Sequence, residues 1–208
     1  MRRKLIVSVW LLVCALFAGA LVRPATADGG FHKVPAPAGK KASALQLRVL
    51  AYDGAVNGEL TVEIKNTGRA AASFSASGLY FVPDGDPDQA PQRLGAVGPM
   101  QLARGDGAAV RKDEVTIAPG ASVRVTLDVF CIDSHRPAPT TATPFTVAAT
   151  RMPKQLASDI AVAGRAAAAE SGGYAAPPAK AAIQSAVWST RDAKWQKLDG
   201  EGKQEADK

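Results

Sequence analysis

The sequence predicts a mainly β protein: an antiparallel β-sandwich followed by two C-terminal helices. Three observations carry this reading. Apolar and polar residues alternate through Leu60–Lys65 and through most of Leu45–Tyr52 and Val123–Cys131, and a strand sends alternate side chains to opposite faces. Short segments of this kind follow one another at regular spacing, separated by Gly-, Pro- and Asn-rich turns, as in sandwiches. Beyond residue 150 the apolar period lengthens from two to the helical spacing.

The elements follow in order. Met1–Lys4 is basic, Leu5–Val22 is an uninterrupted apolar run, and Ala25-Thr26-Ala27 offers an A-x-A cleavage site before Asp28. Residues 1–27 therefore read as a signal peptide, with an uncleaved membrane anchor as the alternative. A lipoprotein reading fails because Leu11-Leu12-Val13-Cys14 has no small residue before its cysteine. The mature protein is expected to be secreted or periplasmic, with the cell surface as one such location, and with membrane contact only through the signal segment if that is retained. Residues 28–43 have no periodicity and read as a flexible lead-in, with His32 solvated.

Residues 44–133 form the expected sandwich. Leu45, Leu47, Val49 and Ala51 share one face; Asn57-Gly58 signals a hairpin; Leu60, Val62 and Ile64 alternate with Thr61, Glu63 and Lys65. Asn66-Thr67-Gly68 closes that strand, and Ser73–Val82 is the next candidate. Arg93–Leu102 is weakly patterned. Val115 and Ile117 lead through Ala118-Pro119-Gly120-Ala121 into the long strand Val123–Cys131. Residues 134–198 comprise a Pro-containing linker, a short strand at Phe145–Ala149 and two helices. The first opens at Met152-Pro153, with Leu156, Ile160, Ala163 and Ala167 on one face, and ends at Gly172-Gly173. The second runs from about Ala179 to Leu198, with one stripe through Ile183, Val187, Thr190, Lys194 and Leu198 and another through Gln184, Trp188 and Trp195. Residues 199–208 form a charged, frayed tail.

Composition excludes several functions. The chain has 25 Lys and Arg against 19 Asp and Glu. Arg2, Arg3, Lys4 and Arg23 leave with the signal, so 21 cations remain and the net charge falls to +2. No basic face is interleaved with aromatics, so nucleic acid is not an expected partner. No Gly-x-Ser-x-Gly elbow and no phosphate-cradling glycine loop is present. Asp84-Gly85-Asp86-Pro87-Asp88 lacks the spacing and closing Glu of an EF-hand and reads as a solvated turn. No cofactor and no metal is assigned.

The chemistry-bearing candidate is Cys131, left without an intrachain disulfide partner once Cys14 departs with the signal. It stands at the end of a strand on the core-facing parity. A buried structural thiol, an intermolecular disulfide, a metal ligand and a reactive group are all open readings. Cys131, Asp133 and His135 together offer metal donors, though without a fourth ligand at a zinc-site spacing.

Two pieces, Gly58–Gly68 and Val115–Leu127, resemble bacterial Ig-like domains, which implies an Ig-like sandwich but no particular function. Phe130-Cys131 and Ile183-Gln184-Ser185-Ala186-Val187-Trp188 resemble the aromatic-Cys and hydrophobic-Gln-x-x-hydrophobic-Trp motifs of bacterial surface thioester domains. That resemblance implies an internal thioester between Cys131 and Gln184. Phe130 and Trp188 would wall a dry pocket, and Asp133 and His135 would be positioned for proton transfer. A protein or other amine- or hydroxyl-bearing surface ligand would then be acylated in one capture event, an adhesive role without turnover, so not that of an enzyme. The motifs stand 53 residues apart, closer than in those adhesins, and no wall-sorting LPxTG-like motif follows. The alternative is a non-catalytic envelope binding or structural module with a buried free cysteine.

Overall fold

The computed structural model describes residues 30–37, 39–42, 44–103, 108–174, 176–194 and 197–201. The signal-like segment, Cys14 and Trp195 lie outside the described residues.

Eleven short strands precede two helices among the described residues: β1 (His32–Lys33), β2 (Leu45–Tyr52), β3 (Glu59–Asn66), β4 (Ala72–Phe74), β5 (Tyr80–Pro83), β6 (Leu94–Ala96), β7 (Met100–Ala103), β8 (Ala109–Lys112), β9 (Val115–Ile117), β10 (Ser122–Cys131), β11 (Phe145–Val147), α1 (Lys154–Glu170) and α2 (Pro177–Ala193). The fold is mainly β, antiparallel, with two C-terminal helices, as the sequence predicts. One continuous sheet in the order β1-β2-β3-β10-β6-β5-β11 curls until β11 approaches β2, and β4 pairs separately with β9.

The ten-residue β10 is the hinge of this arrangement. Its first part pairs with β3 from Ser122↔Lys65 to Asp128↔Glu59, and its last three residues pair with β6 from Val129↔Ala96 to Cys131↔Leu94. Its alternation separates two cores. Val125, Leu127, Val129 and Cys131 face the curled sheet's interior with Leu45, Leu47, Leu60, Val62, Ile64 and Phe81. Phe130 and Ile132 face the other way, under Leu156, Ile160, Ile183 and Val187 of the helices. Each fully buried side chain of this size contributes about 1.5–3 kcal/mol of apolar transfer.

Several details differ from the sequence reading. The chain at residues 31–37 is docked rather than loose: His32 pairs with Leu47, and Val34 is buried and donates its N–H to Leu45 O at 3.0 Å. A register shift between Val49 and Ala51 turns Tyr52, not Ala51, into the core; an extra residue in one strand reverses the parity beyond it. The β2–β3 connection is longer than a two-residue turn. Its left-handed residue is Gly54 (φ +81°), and Asn57 keeps a negative φ. The stretch Ser73–Val82 is two strands, β4 and β5, broken at Gly78 (φ +73°).

The helices also shift. In α1 the buried stripe is Leu156, Ile160, Gly164 and Ala168, so its last two members fall one residue beyond the predicted ones. At Gly164 a Cβ would stand 2.7 Å from Val97 Cγ1, so the missing side chain allows the helix to approach the sheet closely. Pro153 is the N-cap of α1, just outside its first turn. Helix α2 stops at Ala193, and the chain then turns back. Leu198 is buried, and Glu201 Oε1 accepts from the Leu198 N–H at 2.8 Å. Residues 199–201 are thus docked, not frayed.

Candidate functional site

The candidate site lies where β10 outruns β3. After Asp128 the edge of β10 formerly covered by β3 is met by the incoming β2–β3 loop: Val129 N donates to Gly58 O at 3.0 Å and Cys131 N to Val56 O at 3.1 Å. Helix α2 completes this edge with one side chain. Cys131 N also donates to Gln184 Oε1 at 3.0 Å, and Gln184 Nε2 donates to Cys131 O at 2.7 Å. The carboxamide of Gln184 thus stands in for one residue of an additional strand. It is buried; the Cys131 N–H is shared with Val56 O, and an unmet Cys131 carbonyl at that depth would cost about 1–3 kcal/mol.

The structure brings together the two residues singled out by the motifs. Their contact runs through the main chain of Cys131. The thiol belongs to the interior of the curled sheet, with Val129 and Leu127, and is fully buried. Burial, reinforced by the nearby Asp133 carboxylate, pushes the Cys131 thiol up to about 12. At neutral pH it is a thiol rather than the nucleophilic thiolate.

The other predicted residues occupy distinct places. Phe130 is buried on the opposite face of β10, among the helix-facing residues. Trp188 packs against the same core as Cys131 and donates its indole N–H to Gln92 Oε1 at 3.1 Å. His135 is exposed on the turn after β10. Asp133 is fully engaged. Its Oδ2 accepts from Arg93 Nε at 2.7 Å and from the Arg93 backbone N–H at 3.1 Å, while its Oδ1 accepts from Arg93 Nη2 at 2.6 Å. Both oxygens of this carboxylate are thus already taken up by the guanidinium fork of Arg93.

Arg93 and Asp133 head a buried ionic cluster that sequence reasoning missed. Arg191 of α2 places Nη2 4.0 Å from Asp133 Oδ1 and donates to Glu201 Oε1 at 3.1 Å; all four side chains are at most 1% exposed. Arg93 Nη1 also donates to Asp199 O at 3.0 Å. Two cations and two anions balance, as buried charges require. The cluster fastens the returning chain end, α2 and the end of β10 to one another. A signal for Arg191 was present: it continues the Ile183–Val187 stripe at the next i+4 position, where burial was foreseeable. No local signal marked Arg93 or Glu201.

Among the described residues, no group of three or more His, Cys, Asp or Glu side chains converges closely enough to hold a metal ion. In the Asp84–Asp88 turn, Asp86 Oδ1 accepts from the Asp88 N–H at 3.0 Å and Asp84 Oδ1 from Thr146 Oγ1 at 2.9 Å, an ordinary turn geometry. Among the described helices none is long and apolar enough to cross a membrane.

No family model matches the chain, and no curated protein matches it. Among solved structures, a DUF1425 family member from Shewanella sp. pv-4 aligns over 57% of this chain and 94% of that one, at 12% identity and a TM-score of 0.23. A likeness at that level carries no argument about fold or function.

Proposed function

We propose that this is a secreted envelope module without catalytic turnover, in which Gln184 acts as a structural clamp between the helical layer and the β10 edge. The observation that carries this reading is the pair of hydrogen bonds from the Gln184 carboxamide to the Cys131 main chain. Both polar ends of the side chain are satisfied: its amide N–H meets the Cys131 carbonyl, and its oxygen shares the Cys131 N–H with Val56 O. The thiol beside them is apolar packing, held in its neutral form by burial. Export is supported by the basic, apolar and A-x-A pattern of residues 1–27.

A second reading is the internal thioester, and the same contact favours it. The Cys131 N–H polarises the Gln184 carbonyl that a sulfur would attack, at a buried position. In that reaction the S–C bond forms as the C–N bond breaks, and the thiol proton leaves with the nitrogen as ammonia. An amine-bearing ligand would later take the acyl group and return the proton to sulfur. The engaged Asp133 and the raised thiol pKa weigh against this route.

Intact mass of the purified, signal-free protein separates the two. The clamp predicts the full sequence mass and a thiol that reacts with alkylating reagents after unfolding only. A mass lower by one ammonia, absent from Cys131→Ala, would replace the clamp with the thioester.

A further inference from the structure

Helix α1 does not lie flush on the sheet along its whole length. A cavity of about 330 Å³ opens beneath one of its faces, lined by Lys154, Ala157, Ser158, Ala161 and Arg165 of the helix and closed from the other side by Pro37, Ser77, Gly78, Arg151 and Met152. Its lining carries three cations and no carboxylate. None of Arg151, Lys154 and Arg165 forms an ion pair among the described residues. Elsewhere Arg48, Arg93, Arg111 and Arg191 reach carboxylates.

Arg151 is the anchor of the cavity. It donates from Nε to Pro35 O at 2.9 Å, from Nη2 to Ser75 O at 3.0 Å, and from Nη1 to Ser77 O. Three neutral carbonyls fix its orientation without neutralising it, and burial lowers its pKa to about 10. A half-buried cation given no counter-charge gains from an incoming anion. A second cavity of about 210 Å³ shares Pro37 and Arg151 with the first and adds Lys40 and Lys41, against one acid, Glu114. The two form one trough passing Arg151, and a smaller cavity of about 80 Å³ that shares Gly78, Met152 and Arg165 with it adds one further acid, Asp113.

The spacing sets the ligand's shape. Lys154 and Arg165 stand eleven residues apart on one helix, about 16 Å along its axis at 1.5 Å per residue. Between them the floor is small and apolar: Ala157, Ala161, Gly78 and Met152, with the hydroxyls of Ser77 and Ser158. We infer that this trough binds an extended organic dianion, one acid group against Arg151 and Lys154 and the other toward Arg165, with an aliphatic body across the alanine floor. The site stands apart from Cys131 and Gln184, so it goes beyond the proposed function and survives either outcome of the mass measurement.

Octanedioate is the probe, titrated calorimetrically into the purified protein at low ionic strength, where screening is weak. Saturable one-to-one binding is expected, at least tenfold tighter than that of octanoate, with no binding of 1,8-diaminooctane. Lys154→Gln with Arg165→Gln is expected to weaken binding at least tenfold at unchanged melting temperature. Lys180→Gln, a cation outside the trough, leaves it unaltered. Should the double variant lose its fold, Arg165→Gln alone, at an exposed helix position, serves the same purpose. The proposal is overturned if octanedioate gives no saturable heat, if octanoate binds as tightly, or if the trough variants bind like the wild type.

Discussion

Two nearby aspartates, Asp128 within β10 and Asp133 two residues past its end, meet opposite solutions to one problem. Both carboxylates are almost fully buried. Asp128 sits where β10 leaves β3 and draws its partners from the surface: Arg111 Nη1, Gln101 Nε2 at 3.2 Å and, more distantly, Lys180 Nζ at 3.9 Å. The Arg111 and Lys180 side chains remain 29% and 20% exposed. Asp133, five residues on, has Arg93 and Arg191 at 0% exposure and shares the cluster with Glu201. The first cluster keeps contact with water and can re-solvate if disturbed. The second has no such recourse, and its members join three separate parts of the chain. Charge pairing of similar appearance is therefore peripheral at one site and a fastening at the other.

The largest expected effect tests that difference directly. Asp133→Ala removes one of the two carboxylates that Arg93 and Arg191 share, and removing one partner from a buried pair costs about 3–5 kcal/mol. Urea unfolding monitored by circular dichroism would measure it; a loss near that of an exposed pair would mean that water enters the cluster. Next comes alkaline stability, read at Cys131 at the end of β10. Its folded thiol pKa of about 12 lies above the unfolded value near 9. Between those values the unfolded chain loses a proton that the folded one keeps, so stability is intact below pH 9 and falls as pH rises toward 12. By pH 10.5 the loss is about 2 kcal/mol, and Cys131→Ala should flatten that part of the curve. Tyr52, also raised by burial, adds in the same direction, so the variant retains some slope. A wild type with no thiol-dependent slope would point to a capped sulfur. The smallest effect is Asp128→Asn. About 1 kcal/mol is expected, diminishing with added salt because Arg111 and Lys180 remain partly solvated. Equal sensitivity of the Asp128 and Asp133 variants to salt would erase the distinction between the two clusters.

The β framework was legible because burial on one face writes itself into alternate residues. Leu60, Val62 and Ile64 are buried as their parity requires, and so are Val125, Leu127, Val129 and Cys131. Where a bulge intervened, as between Val49 and Ala51, the parity reading went astray by one residue. In α1 the stripe passes through Gly164, which no hydrophobicity pattern marks as buried. The pairing of Cys131 with Gln184 was reached from two short motifs. Its form, side-chain amide to main chain with the thiol turned toward the sheet interior, was not.

The sequence by itself determined the strand and helix periods and the parity that sends Cys131 inward. Those properties depend on neighbours within a turn or a pleat. Only the tertiary structure decided that Arg93, Asp133, Arg191 and Glu201 would share one buried cluster and that the end of β10 would be completed by a side chain 53 residues away. It likewise decided that Arg151 would be held by carbonyls beside a cavity without acids. Those outcomes depend on which unpaired charges and backbone groups meet when the sheet curls and the helices return across it, and long-range desolvation of that kind leaves no periodic trace in the chain.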